Sequence, residues 1–157
     1  MTGQQSLLYA ALGTKYIWGA GSLKDAPQAS PAGFSTAHGF GFDCSGFVQW
    51  ALYMLGIVAA SQWVDLRAAD LANACDPVSD VTQLVTGDLV FYGAGAVTHV
   101  MMYCGNGMVI GATGGKSTTL GDDPLACVQC RPLRYRNDVI VCGRLKPQFR
   151  KPKTATS

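Results

Sequence analysis

The sequence predicts one α+β domain in which helices pack on one face of an antiparallel β-sheet. Helix-like patterns fill the first half of the 157 residues and strand-like patterns fill the second, instead of alternating along the chain. Hydrophobic residues make up 48% and charged residues 14%, which is enough apolar surface for one well-buried core. We therefore assign residues 1–145 to this domain and residues 146–157 to a basic, flexible tail.

Three segments have the features of helices. Gln4–Leu12 contains neither glycine nor proline and is followed by a glycine. The second helix begins after Asp43, a good N-cap residue, and its apolar residues recur at helical spacing. The third covers Gln62–Ala74 and stops before the Asp76–Pro77 pair. Residues 21–42, between the first two helices, are rich in Gly, Pro and Ser without periodicity, which predicts a long loop.

The second half of the chain predicts an antiparallel meander. Short runs of β-branched and aromatic residues are separated by glycine-containing turns. The predicted strands are Asp88–Tyr92, Thr98–Cys104, Met108–Ala112, Val128–Tyr135 and Val139–Leu145. A cysteine on a helix would then face a histidine on the sheet.

Charge and hydropathy exclude several classes of partner. The formal charge is +2 and the basic residues are dispersed, so we expect no nucleic-acid binding. No segment approaches the length of a membrane span, and the first residues lack the pattern of a signal peptide, so we expect no membrane insertion. We interpret the six cysteines as mostly free thiols. Cys127 and Cys130 have the spacing of half a zinc site or a redox pair, but no further ligands complete it, so we expect no metal and no cofactor.

Cys44 is the strongest candidate for a catalytic residue. It opens the second helix, where unpaired backbone N–H groups and the helix dipole favour a thiolate over a thiol. His99 lies in an apolar strand and is the candidate base, since strand alternation places His99, Met101 and Tyr103 on one face, which we expect to face the helix. The pattern around Cys44 is equally compatible with a small buried core cysteine.

A base of this kind needs a partner that fixes its tautomer. A three-residue turn centred on Gly105 would place residue 111 opposite His99, but Gly111 has no side chain to offer. We therefore expect the hydroxyl of Thr113 on the same face, a backbone carbonyl or a water to orient the ring. His38, in the long loop, is a further alternative, although a solvated loop histidine is the simpler interpretation.

Five segments resemble, in order and spacing, the successive signatures of the NlpC-type cell-wall cysteine peptidases. They are Tyr16–Gly19, Phe42–Val48, Arg67–Ala69, Gly87–Tyr92 and His99–Gly107. Five ordered blocks, within a resemblance that extends from residue 16 to residue 145, are more specific than any single motif. The resemblance implies a papain-like fold with a groove between its halves. It also implies an endopeptidase that cleaves peptidoglycan stem peptides, commonly between D-glutamate and a diamino acid.

The resemblance implies roles for individual residues. Cys44 matches the family nucleophile, His99 the general base, and Tyr16 a tyrosine that lines the site near the oxyanion. The third catalytic position, usually histidine, falls on Gly111, which leaves Thr113 as the candidate orienting residue. The chemistry implied requires neither a metal nor a cofactor.

The same resemblance implies substrate contacts and leaves other functions open. Asp43 and Ser45 match positions that hold the free amine of the stem peptide, and Trp18 lies close to the site by the same analogy. The alternatives are a non-catalytic or attenuated phage tail or wall-binding module of the same fold, and a wall amidase or transpeptidase that uses the same acyl-enzyme. A wall-directed fold without a signal peptide leads us to expect synthesis in the cytoplasm, followed by delivery in a bacteriophage virion, through lysis or by a non-Sec route.

Overall fold

A computed structural model describes residues 2–21, 30–59 and 66–152. Its helices are α1 (Gly3–Tyr9), α2 (Cys44–Met54) and α3 (Ala68–Asn73). Its strands are β1 (Phe34–Thr36), β2 (Gly39–Gly41), β3 (Cys75–Pro77), β4 (Leu89–Tyr92), β5 (His99–Gly105), β6 (Met108–Thr113), β7 (Cys127–Pro132) and β8 (Val139–Leu145). Part of the predicted loop (22–29), the start of the predicted third helix (62–65) and the end of the predicted tail (153–157) lie outside the described residues.

Six strands form one antiparallel sheet in the order β3-β8-β4-β5-β6-β7. The predicted meander is confirmed for β4 to β7, in which each strand pairs with the next along the chain. The last strand, β8, does not extend the meander beyond β7. It returns to pair with β4, where Phe91 lies opposite Val141.

Helix α2 packs against one face of this sheet and forms the centre of the main core. Phe47 and Trp50 of α2 pack with Phe42 in a cluster of aromatic rings whose centroids are 5.3–5.8 Å apart. Val100 and Met102 of β5 belong to the same core. With helices on one face of an antiparallel sheet, the predicted α+β class is confirmed. Among the described residues, none of the helices has both the length and the apolar character needed to span a bilayer.

A second, smaller core covers the other face of the sheet. Its buried members include Val90, Tyr92, Met101 and Val109. The predicted alternation along β5 is therefore right, but the predicted direction is wrong. Met101 belongs to the second core and Val100 to the core that contains α2, so the set that includes His99 points away from the body of the helix.

The region predicted as a loop contains a short hairpin. Strands β1 and β2 pair in antiparallel register with Phe34 opposite Gly41. The connecting turn is closed by the Thr36 hydroxyl, which donates to the carbonyl oxygen of Gly39 at 2.7 Å. Gly39 has a φ of 103°, which an L side chain rarely adopts. The glycines that predicted an irregular loop therefore supply the turn of a hairpin.

The third helix also differs from the prediction, and the first residues of the tail contact the domain. Helix α3 ends at Asn73, and Cys75–Pro77 forms β3 at the edge of the sheet, where a proline is tolerated. Residues 146–152 make backbone hydrogen bonds with the domain. The N–H of Lys146 donates to the carbonyl of Ala74 at 2.9 Å, and the N–H of Lys151 donates to the carbonyl of Ile57 at 2.6 Å. The predicted boundary at residue 146 therefore does not coincide with a loss of contact with the domain, and flexibility of the tail stays a prediction.

Candidate active site

The start of α2 is fixed by its N-cap residue and by a close backbone approach. The carboxylate of Asp43 accepts hydrogen bonds from the Gly46 N–H at 2.6 Å and from the Ser45 hydroxyl at 3.3 Å. The Asp43 N–H donates to the carbonyl of Ala20 at 3.0 Å. A side chain at position 46 would overlap that same carbonyl oxygen. Gly46 therefore lets the helix start lie directly on the Ala20 backbone.

Tyr16 is brought to this helix start by a short parallel bridge with Phe42. The Phe42 N–H donates to the Lys15 carbonyl at 3.0 Å, and the Ile17 N–H donates to the Phe42 carbonyl at 3.1 Å. Only 4% of Tyr16 is exposed, and its ring lies so close to Gly115 that a side chain there would overlap it. Burial, followed by the proximity of Cys44 and Asp43, raises the pKa of Tyr16. Its hydroxyl therefore stays protonated and can donate a hydrogen bond.

The thiol of Cys44 lies at the bottom of the groove and is partly exposed. Burial, and next the Asp43 carboxylate, raise its pKa to about 11, and the backbone N–H groups of Val100, Ser45 and Cys44 itself act in the opposite direction. The helix start favours a thiolate as expected from the sequence, but this effect is outweighed. The resting residue is therefore a neutral thiol, which corrects the sequence-based expectation of a thiolate.

The groove above Cys44 has a volume of about 600 Å³. One wall contains Tyr16 and Trp18, and Trp18 is 55% exposed. A second part of the lining is the start of α3 and the residues before it, Leu66–Asp70. This part of the lining is tied to α2 by Gln49, whose side-chain amide donates to the Leu66 carbonyl at 2.8 Å. Cys44 therefore opens into a groove with an aromatic side and a side that carries charged residues.

His99 begins β5 next to this groove. The N–H of the peptide bond that follows it, which belongs to Val100, lies at the Cys44 sulfur. The imidazole itself is 7% exposed and lies 5.6 Å from the ring of Tyr92, between centroids. Burial, and then the nearby Arg136, lower the pKa of His99 to about 4, so the ring is neutral at pH 7. Of the hydrogen bonds found among the described residues, none joins His99 directly to Cys44.

The second nitrogen of His99 has a partner that the sequence did not reveal. Its Nε2 is 2.9 Å from the hydroxyl of Tyr135, and that hydroxyl is 2.8 Å from Oγ1 of Thr113. Thr113, the orienting residue expected from the sequence, therefore reaches His99 through Tyr135 and not directly. Tyr135 lies in the connection between β7 and β8, inside a segment predicted as a strand, and no motif distinguishes it.

The predicted register of the β5–β6 hairpin is wrong by two residues. Met102 lies opposite Ile110 and Tyr103 opposite Val109, because the pairing shifts at Gly105. Continued in the same register, residue 101 faces residue 111 and residue 99 faces residue 113. A side chain at Gly111 would have its Cβ 2.6 Å from Sδ of Met101. Position 111 is therefore occupied by Met101 and does not face His99.

Two other candidates from the sequence lie elsewhere. His38 is in the turn between β1 and β2 and lines a separate depression with Gly13 and Lys15. Cys127 and Cys130 are three residues apart on β7, so their side chains point to opposite faces of the strand and do not form a redox pair. All six cysteines are free, as the sequence predicted.

Comparison with known sequences finds a matching family model and several relatives. A model of the NlpC/P60 family matches residues 13–128. The peptidoglycan endopeptidase RipB of Mycobacterium tuberculosis is 37% identical over 103 residues, which cover 66% of this chain and 39% of RipB. The bifunctional muramidase/DL-endopeptidase CwlT of Bacillus subtilis is 30% identical over 110 residues, which cover 68% of this chain and 29% of CwlT. The chain therefore spans less than half the length of these relatives.

Solved structures share the fold. The P60 domain of antigen MAP1204 from M. avium subspecies paratuberculosis superimposes with a TM-score of 0.61 and 27% identity, covering 90% of each chain. The peptidoglycan hydrolase RipB gives a TM-score of 0.60 and 27% identity over 91% of this chain and 65% of that one. RipD of M. tuberculosis, described as a non-catalytic NlpC/p60 domain protein, gives 0.56 and 22% identity over 92% of this chain and 98% of RipD, which shows the fold alone.

Proposed function

Since the chain belongs to the NlpC/P60 family, a family of cell-wall peptidases, we propose that it hydrolyses the peptide stems of bacterial peptidoglycan with Cys44 as nucleophile and His99 as general base. The observation that carries this proposal is the cluster at the bottom of the groove. There the Cys44 thiol lies beside the Tyr16 hydroxyl and several backbone N–H groups. A nucleophile next to donors that can stabilise an oxyanion meets the requirements of acyl transfer.

The two reacting groups start neutral, and the thiolate forms as the reaction proceeds. The pKa of Cys44 is raised to about 11 and that of His99 is lowered to about 4. The thiol proton passes to His99 as sulfur attacks the scissile carbonyl carbon. The imidazolium then protonates the leaving amine, the C–N bond breaks and a thioester remains. Water, which gives its proton to His99, hydrolyses the thioester, and the proton returns to the sulfur.

The developing oxyanion is stabilised at the helix start. The backbone N–H groups near the sulfur belong to Cys44, Ser45 and Val100. The Tyr16 hydroxyl is a further donor, because its raised pKa keeps it protonated at any pH at which the protein would act. Preorganised donors of this kind stabilise the transition state more than the ground state.

The groove suits a short peptide with charged groups at both sides. Asp43 and Ser45 lie at the Cys44 end and supply oxygen acceptors for the free amine of a stem peptide. Arg67, which also lines the groove, supplies a cation for a stem carboxylate. Trp18 provides an exposed aromatic surface along one side. We therefore propose cleavage between D-glutamate and the diamino acid. Delivery in a virion, through lysis or by a non-Sec route stays a prediction from the sequence.

One observation favours a second candidate function. The raised pKa of Cys44, without a direct hydrogen bond to His99, is the arrangement expected of an attenuated or non-catalytic wall-binding module. Such a module would use the same groove to hold a stem peptide without cleaving it. A wall amidase or a transpeptidase would use the same acyl-enzyme and differ in its products.

The test is digestion of purified peptidoglycan with lysine or diaminopimelate stems, read by mass spectrometry. The wild type should release fragments with a new amino group on the diamino acid, and Cys44→Ala should release none while it keeps its melting temperature. Cys127→Ala, a matched change at another partly exposed free thiol, should keep the activity.

Each other outcome has a defined meaning. Cleavage by Cys44→Ala contradicts the assignment of the nucleophile. Wild-type protein that sediments with peptidoglycan but does not cleave it supports the wall-binding module. Release of the whole stem from the sugar indicates an amidase, and new cross-links indicate a transpeptidase.

A further inference from the structure

We propose that Tyr135 is the positioning residue that orients His99 and sets its tautomer, with Thr113 fixing the direction of the Tyr135 hydroxyl. This inference rests on the proposed function, in which His99 is the base. It assigns the orienting role to a side chain in the β7–β8 connection, 36 residues beyond His99, and not to position 111.

The three groups form a continuous chain of hydrogen bonds. The distance from His99 Nε2 to Tyr135 Oη is 2.9 Å, and the distance from Tyr135 Oη to Thr113 Oγ1 is 2.8 Å. Both distances are those of well-formed hydrogen bonds. His99 and Thr113 are 7% and 6% exposed, so bulk water has little access to compete for these partners.

The ring of Tyr135 is held by its neighbours independently of its hydroxyl. It packs edge-on against Tyr92, with centroids 5.6 Å apart, and the guanidinium of Arg131 lies 5.3 Å above it. Tyr92 is itself fixed, because its hydroxyl donates to the Leu133 carbonyl at 2.7 Å. The position of the Tyr135 hydroxyl is therefore determined before any substrate binds.

The proton count allows two directions for this chain, and only one of them suits the proposed reaction. A tyrosine hydroxyl has one proton to donate, and its oxygen accepts the others. The guanidinium of Arg136, which has only donors, also lies beside this hydroxyl. The Tyr135 oxygen can accept from Arg136 in either direction, and its one proton goes to Thr113 Oγ1 or to His99 Nε2. We assign the direction in which Tyr135 donates to Thr113 Oγ1 and its oxygen accepts the Nε2–H of His99. The lone pair of the imidazole is then on Nδ1.

This tautomer is the one that the proposed reaction requires. With Nε2 engaged by Tyr135, Nδ1 is the nitrogen left to take the Cys44 proton. When His99 becomes an imidazolium, both nitrogens carry protons, and the Tyr135 oxygen still accepts from Nε2. The opposite direction, with Tyr135 donating to Nε2, would place a proton on Nδ1 and prevent it from acting as a base.

Position 111 cannot supply the same function in this chain. It lacks a side chain, and its space is filled by Sδ of Met101. The hydroxyl of Tyr135 already occupies the nitrogen that a residue at 111 would need to reach. The orienting group has therefore moved from the hairpin to a neighbouring connection.

The first test compares Tyr135→Phe with Tyr103→Phe. Tyr135→Phe keeps the ring between Tyr92 and Arg131 and removes only the hydroxyl. We expect kcat to fall roughly ten- to a hundredfold with KM little changed, since base catalysis contributes effects of this order or larger. Tyr103 also packs beside the second core, and its hydroxyl accepts from the Gly107 N–H at 3.0 Å, so Tyr103→Phe removes a bonded hydroxyl elsewhere and should keep kcat.

The second test uses Thr113, whose role is directional. Thr113→Val removes the acceptor for the Tyr135 proton, so Tyr135 is free to donate to Nε2, and kcat should fall. Thr113→Ser restores an acceptor and should recover most of the loss. A serine variant as impaired as the valine variant would contradict the chain, as would a valine variant with wild-type kcat. If Tyr135→Phe fails to fold, the two Thr113 variants still test whether the hydrogen-bond chain orients His99.

A spectroscopic readout separates this inference from the proposed function. The chain has two histidines, so 15N-labelled His99 is identified by comparison with His38→Gln. The wild type should show a protonated Nε2, and Tyr135→Phe and Thr113→Val should shift the population toward protonated Nδ1. An unchanged tautomer in both variants overturns the inference even if the wild type is an active peptidase. A shifted tautomer in a protein without peptidase activity upholds the hydrogen-bond chain and rejects only the proposed function.

Discussion

Cys44, the proposed nucleophile, and His99, the proposed base, are held in place by different kinds of contact. At the start of α2, Cys44 is positioned by backbone contacts, in which Asp43 caps the helix and Gly46 lies directly on Ala20. At the start of β5, His99 is positioned by side chains, of which Tyr135 comes from a separate connection. The first arrangement depends on a few neighbouring residues, and the second depends on how distant parts of the sheet come together.

This difference affects what a substitution can do. A residue held by backbone contacts keeps its position when nearby side chains change. It loses that position if a glycine that permits a close backbone approach is replaced. A residue held by side chains can lose its orientation when one hydroxyl is removed. A side chain at another position in the sequence can also provide the same hydrogen bond. The loss of a side chain at position 111 is compatible with an oriented base for this reason.

Replacing the base should have the largest effect after the loss of the nucleophile. His99→Ala removes both the acceptor of the thiol proton and the donor to the leaving amine, so we expect kcat/KM to fall by about a hundred- to ten-thousandfold. The measurement is the rate of release of stem fragments from peptidoglycan. His38→Ala, in the β1–β2 turn, is the matched control and should keep the wild-type rate. Equal losses in the two variants would mean that the base has been assigned incorrectly.

Removing the hydroxyl of Tyr16 should have the next largest effect. Tyr16→Phe keeps the packed ring above Gly115 but deletes a donor near Cys44, and we expect kcat to fall roughly ten- to a hundredfold, somewhat less than the loss of a main oxyanion donor. Tyr53→Phe, on the last turn of α2 and outside the lining of the groove, should leave kcat unchanged. A wild-type rate in Tyr16→Phe would restrict Tyr16 to shaping the groove.

The two sides of the site also differ in how far the sequence could predict them. The helix start was accessible, because an N-cap residue, a cysteine and a helical apolar pattern are adjacent in the chain. His99 was predicted as the base and stays the proposed base, but its hydrogen-bond partner was not predicted, because the pairing shifts at Gly105 and the partner lies outside the hairpin. The return of β8 to β4 and the position of Tyr135 depend on contacts between distant segments, for which no local pattern exists.

The protonation state of Cys44 is a further case in which local reasoning was incomplete. The sequence predicted a thiolate from the helix start alone, and this would give fast labelling by thiol reagents at neutral pH. The structure adds burial and the Asp43 carboxylate, which raise the pKa to about 11. The sign of the net effect depends on surroundings that belong to the folded domain.

Labelling of Cys44 by iodoacetamide distinguishes these two descriptions. With a pKa of about 11, the thiolate fraction is small at neutral pH, so the labelling rate should rise about tenfold for each pH unit between pH 7 and pH 9. Mass spectrometry of the peptide that contains Cys44 gives this rate separately from the other five cysteines. A rate that is fast and constant over this range would indicate a preformed thiolate–imidazolium pair, and it would contradict the neutral resting state.

The smallest effect on activity is expected at position 111, where the family's third residue would lie. Gly111→His would restore that residue. If His99 had no orienting partner in the wild type, this variant would have a higher kcat. We expect no gain, because Tyr135 already engages Nε2 and the new side chain would displace Met101 from a fully buried position, at a cost of about 1–3 kcal/mol in the free energy of unfolding. Thermal unfolding and kcat measure the two expectations. The double variant Met101→Ala/Gly111→His makes room for the imidazole and should recover part of the stability without raising kcat. A rise in kcat in either variant would show that the His99 ring is incompletely oriented in the wild type. It would then follow that the orienting partner of His99 is missing and has not been replaced by Tyr135.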